Sequence, residues 1–107
     1  MAFFNSLRKK TRYSQNFFVR NEIGIRTKFF SSPKSVKILI ENSGKILSLE
    51  EVAFDIWILL KKPLSFEKLI KELKKQYEAP EKDLKKDTIS FLKELQKHKL
   101  VKTLEKN

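Results

Sequence analysis

Side-chain catalysis needs groups that exchange protons, attack an electrophile or hold a metal, and this sequence is short of all of them. Its one histidine, His98, stands between Lys97 and Lys99 at the end of an apolar-striped segment. That is the position of a capping or solvated imidazole rather than of a general base. There is no cysteine, which excludes a thiolate nucleophile, a thiolate metal site and a disulfide framework. The acids are spread at the spacing of helical surfaces, and no loop motif gathers them into a metal cage. Gly24 and Gly44 are the only glycines, too few for a loop that cradles phosphate. The expectation is a binding module that is not an enzyme and carries no metal or cofactor.

What it binds is narrowed by size and charge. The chain has 107 residues, with 24 Lys and Arg against 13 Asp and Glu, for a formal charge of +11. A chain of this length builds one core and excludes a multi-part enzyme. The basic excess is N-terminal: the first 37 residues hold nine Lys and Arg against Glu22 alone. Such an excess points to an acidic partner, whether nucleic acid, anionic lipid or acidic peptide. Met1 to Lys10 puts charge where a secretory signal needs an apolar run, and no stretch approaches the roughly 20 apolar residues of a membrane span. The expected location is the cytoplasm.

The elements that must carry a binding surface follow from periodicity. Residues 1–16 mix Phe3, Phe4, Leu7 and Tyr13 with Arg8, Lys9, Lys10 and Arg12, and read as an extension, loose or docked, ahead of a domain over 17–107. Ile23, Ile25, Thr27 and Phe29 alternate with Gly24, Arg26, Lys28 and Phe30, the two-residue period of a half-buried strand. Val36, Ile38 and Ile40 mark a second strand. Asn42-Ser43-Gly44 makes a hairpin loop with glycine available for the left-handed position, and Lys45 to Leu49 returns as a third strand.

From Glu50 the period becomes helical. Val52, Ala53, Ile56, Leu59 and Leu60 share one face of a first helix that stops before Pro63. Ser65 is an N-cap for a second, with Phe66, Leu69, Ile70, Leu73 and Tyr77 as its stripe. Leu84, Thr88, Phe91 and Leu95 centre the stripe of a third helix over Glu81 to Lys97, and Leu100 and Val101 close the core. The expected class is α+β, a three-stranded antiparallel sheet followed by three helices, with winged helix-turn-helix character. Phe54 and Ile58, with Trp57 between the faces, form a second apolar surface on the first helix. It is either covered by Phe17, Phe18 or the N-terminal extension, or open to a partner or a second copy of this chain.

The run from Ser43 to Ala53 (SGKILSLEEVA), then Ile56 to Leu60 (IWILL), resembles the strand-to-helix signature of the PqqD-like family, the pyrroloquinoline quinone biosynthesis protein D type. Ser65 to Ile70 is similar to its second helix, and Asp87 to Leu95 with Leu100-Val101 to its third helix and terminus. The likeness spans roughly 19 to 102. Glu50 stands where the family usually has Asn, and Lys99 where it usually has Gly.

The resemblance implies a RiPP recognition element, a non-catalytic domain that binds the leader of a ribosomally made precursor peptide and presents it to a separate modifying enzyme. That enzyme would be a radical S-adenosylmethionine protein, a leader protease or another type. Such domains take the leader as an added strand beside the third strand, in a groove closed by the third helix. Strand addition uses main-chain hydrogen bonds for affinity and alternate side-chain pockets for choice. Here that edge is Lys45, Ile46, Leu47 and Ser48, with Leu47 and Leu49 facing the core and Ile46 and Ser48 the other way. The helical wall would be Lys85, Ile89, Leu92, Lys93 and Gln96. Phe54, Trp57 and Ile58 would then meet the enzyme or a second copy.

The rival reading is a DNA-binding winged helix. Against it, the third helix balances Lys82, Lys85, Lys86, Lys93 and Lys97 with Glu81, Asp83, Asp87 and Glu94 and has no Arg for bidentate base contacts. Membrane attachment through residues 3 to 18 is a lesser alternative.

Overall fold

A computed structural model describes residues 16–105; the N-terminal extension read from the sequence lies almost wholly outside them. The strands are β1 (Asn16–Arg20), β2 (Ile25–Ser31), β3 (Lys34–Ile40), β4 (Lys45–Glu50), β5 (Leu64–Ser65) and β6 (Val101–Glu105). The helices are α1 (Val52–Leu59), α2 (Phe66–Gln76) and α3 (Glu81–Lys97). The class is α+β as expected, but the strands form two three-stranded antiparallel sheets, ordered β2-β3-β4 and β5-β1-β6.

The β2-β3-β4 sheet is the anticipated meander. Ser32-Pro33 turns β2 into β3, with Ser31 opposite Lys34. The second turn takes four residues rather than three: Ile40 pairs with Lys45, Gly44 N–H donates to the Ile40 carbonyl at 2.8 Å, and Gly44 holds φ +72°, the conformation that favours glycine. The register puts Phe29, Val36 and Leu49 in one row and Thr27, Ile38 and Leu47 in the next. These rows face the helices, where Val36, Ile38 and Leu49 are buried.

The second sheet was not foreseen. Periodicity marks no strand before Ile23 and makes Leu100-Val101 only a core closure, yet Asn16 to Arg20 pairs with Glu105 to Val101 along its full length and with Leu64-Ser65 on its other side. The end of β1 is tied twice more: Arg20 N–H donates to the Leu60 carbonyl at 2.9 Å and Asn21 N–H to the Leu100 carbonyl at 2.8 Å. Arg20 lies over the Trp57 ring, 5.3 Å from its centroid, and its guanidinium donates to the Trp57 carbonyl.

The helices form where periodicity put them. Ser65 Oγ caps α2 by accepting from Lys68 N–H at 3.1 Å. α3 ends in a Schellman motif: Leu100 N–H reaches the Leu95 carbonyl, Lys99 N–H reaches the Gln96 carbonyl, and Lys99 takes φ +59°. Lys99 thus occupies the left-handed position where a glycine is favoured, the place at which the chain departs from the pattern it resembles. Leu95 and Leu100, both buried, make the apolar contact that accompanies this cap.

Candidate functional site

β4 is the border of its sheet: β3 lies on one side, and among the described residues no strand lies on the other. Its residues alternate as expected. Leu49 is buried and Leu47 half-buried toward the core, while Ile46 (62 % exposed) and Ser48 turn to the opposite face. Lys45 begins the strand and is exposed. The unpaired side of such a strand presents main-chain donors and acceptors to another chain.

The sheet face turned away from the helices carries its own pattern. Arg26, Leu39 and Ile46 form one row, Lys28, Lys37 and Ser48 the next, and Phe30, Ser35 and Glu50 the third. Lys28 Nζ and Lys37 Nζ lie 5.5 and 5.7 Å from the Phe30 ring centroid. Arg26 is answered by Glu41 at 3.1 Å. Arg26, Lys28, Lys37, Leu39 and Ile46 line a shallow hollow of about 230 Å³. This face lies outside the expected site residues, and the alternation of Arg26, Lys28 and Phe30 is its signal in the sequence.

The expected helical wall divides. Leu92 is 4 % exposed and belongs to the core, because the buried stripe runs through Leu84, Thr88, Leu92 and Leu95, turned toward Leu92 and leaving Phe91 half-buried. Lys85 bonds Glu81 at 3.3 Å. Glu81 also takes Lys74 of α2 at 2.7 Å, and these hydrogen bonds, Lys74's first, hold its carboxyl below the usual range. Lys85 is therefore turned to the α2 side, above a hollow shared with Ile70 and Lys71. Gln96 donates to Thr103 Oγ1 of β6 at 3.2 Å. Ile89, 43 % exposed, and Lys93 remain on the open surface.

The expected partner surface on α1 also needs correction. Trp57 is wholly buried beneath Arg20 and offers nothing to a partner. Phe54 is half-buried, and its ring meets Phe29 of β2 edge-on at 6.3 Å, so β2 supplies a cover for which one of the two expectations named Phe17, Phe18 or the N-terminal extension. Ile58, 41 % exposed, stays outside, beside Leu59, Leu64 and Lys61 in a hollow of about 280 Å³.

His98 sits half-buried beside Glu94 at 3.3 Å. Among the described residues no cluster of three potential metal ligands occurs, and no helix is long and apolar enough to cross a membrane.

A family model described as Coenzyme PQQ synthesis protein D (PqqD) matches residues 36–101, more than half of the chain. That span takes in most of β3, all of β4, the three helices and the first residue of β6. No curated protein and no solved structure matches the chain.

Proposed function

The chain belongs to the PqqD family, and on that premise we propose that it is a non-catalytic leader-peptide-binding protein, a RiPP recognition element, that captures a precursor peptide by strand addition along β4 and presents it to a separate modifying enzyme. The observation that carries this reading is the open border of β4 within the matched span. A six-residue strand with one side free among the described residues gives a guest segment a ladder of main-chain bonds, and the alternation of Ile46 and Ser48 with Leu47 and Leu49 gives it two distinct faces. Of the α3 strip, Ile89 and Lys93 are the side chains available to an arriving peptide. Lys85, Gln96 and Leu92 serve α2, β6 and the core. The surface for the enzyme, or for a second copy of this chain, narrows to Ile58 and its hollow. The order α1-β5-α2-α3-β6 supports the winged helix-turn-helix reading, with β1 supplying the strand that completes the small sheet.

Hydrogen exchange of the full chain, with and without synthetic peptides tiling the precursor encoded beside its gene, tests the capture. Amides of Lys45 to Glu50 are expected to slow on binding, and Ile46→Asp to weaken binding about tenfold without unfolding the protein. A leader that binds while exchange along β4 is unchanged overturns the reading. The DNA-binding alternative gains nothing from the ion pairs that occupy Lys85 and Lys74; steeply salt-dependent affinity for duplex DNA would be its mark.

A further inference from the structure

Lys28 and Lys37 are directly opposite one another on β2 and β3, and like charges so placed repel. Both ammonium groups share the face of Phe30, which softens the repulsion without cancelling it. Among the described residues no carboxylate is within ion-pair distance of either: Glu41 is committed to Arg26, and Glu50, on the same face at the end of the next row, bonds neither lysine. The same row ends at the open border with Ser48, a side chain too small to cover Lys37. The neighbouring row ends with Leu39 and the exposed Ile46. A strand added beyond β4 lies about 10 Å from β3, two strand spacings, a gap that a lysine and a carboxylate side chain close together.

We infer that the peptide received by β4 is acidic at a defined place: it sets Asp or Glu opposite Ser48, against Lys37, with Lys28 one strand further back adding to the positive field, and an apolar residue opposite Ile46. Both existing ladders of the sheet are antiparallel, and a guest that continues them passes Ser48 before Ile46. Its sequence therefore reads acid, any residue, apolar, in that order. This rests on the strand-addition reading and adds to it the chemistry of the segment selected.

The test is a selection of displayed random decapeptides on the full chain and on Lys37→Glu and Lys28→Glu variants, with amide shifts of labelled protein locating the bound peptides. Peptides that shift the β4 amides are expected to carry acid-x-apolar. Exchanging that acid for Lys is expected to cost about tenfold in affinity, and the Lys37→Glu variant to select Lys or Arg there instead. Binders that shift β4 but show no acid, or keep it unchanged on both variants, overturn the inference and leave strand addition standing. Binders that spare β4, or a selection without binders, overturn strand addition and the inference with it.

Discussion

The two sheets have the same number of strands and opposite constructions. In β5-β1-β6 the middle strand comes first in the chain and its neighbours come from the middle and the end, so each rung closes a long loop. In β2-β3-β4 the strands follow one another through short turns, and both outer strands are open among the described residues. The first sheet is bolted to the helices through Arg20, Trp57, Leu60 and Leu100. The second is joined to them through one face, by the buried Val36, Ile38 and Leu49 and the Phe29–Phe54 contact. One sheet consolidates the domain, and the other keeps, among the described residues, the open border at which strand addition is proposed. Long-range pairing costs loop closure before it returns stability, and here it falls in the anchoring sheet and not at the open border.

Removing the anchor is the harshest way to break this contrast. Trp57→Ala empties a fully buried site and is expected to cost about 3–5 kcal/mol in urea unfolding, whereas Ile46→Ser on the open border is expected to stay within about 0.5 kcal/mol. Similar losses for the two would show that the open sheet bears as much of the fold as the closed one.

A smaller effect tests the join between α1 and α2, the helices against which both sheets pack. The Tyr77 hydroxyl donates to Asp55, and burial first, then that bond, pushes its pKa up to about 12, above the roughly 10 of an unfolded tyrosine. The protonated phenol therefore contributes stability that is whole below pH 10 and lost as pH rises through 12. Melting temperature is expected to fall more steeply across that window in the native protein than in Tyr77→Phe; parallel curves would remove the bond from the account.

The smallest expected change sharpens the anchor. Lys99 holds a left-handed backbone at the turn into β6, and Lys99→Gly is expected to add about 0.5–1 kcal/mol, read as a shift in the denaturation midpoint at unchanged slope. A loss would mean that the lysine side chain matters more than the backbone it strains.

The open sheet was readable in the sequence because its pairing is local: alternation and the Gly44 turn specify β2 to β4, and helical periods specify α1 to α3. The closed sheet was not, since β5 has two residues and β1 meets β6 more than eighty positions later, beyond any local pattern. Trp57 was misplaced because α1 is apolar nearly all round, from Val52 to Leu59, and shows no single inward stripe. Leu92 was misplaced because Phe91 beside it is equally apolar, so the stripe's centre could fall on either. The border residues Ile46 and Ser48 came out as expected because a strand's alternation leaves no such freedom.

The pairing of Asn16 with Glu105 has a consequence for engineering. Residues near the two ends of the described chain stand side by side, so a short tether can link them and new termini can be opened in the exposed 41–44 turn, a circular permutation that keeps every strand partner. The same adjacency lets the unit be spliced into a surface loop of another protein through two neighbouring junctions, with little demand on its host.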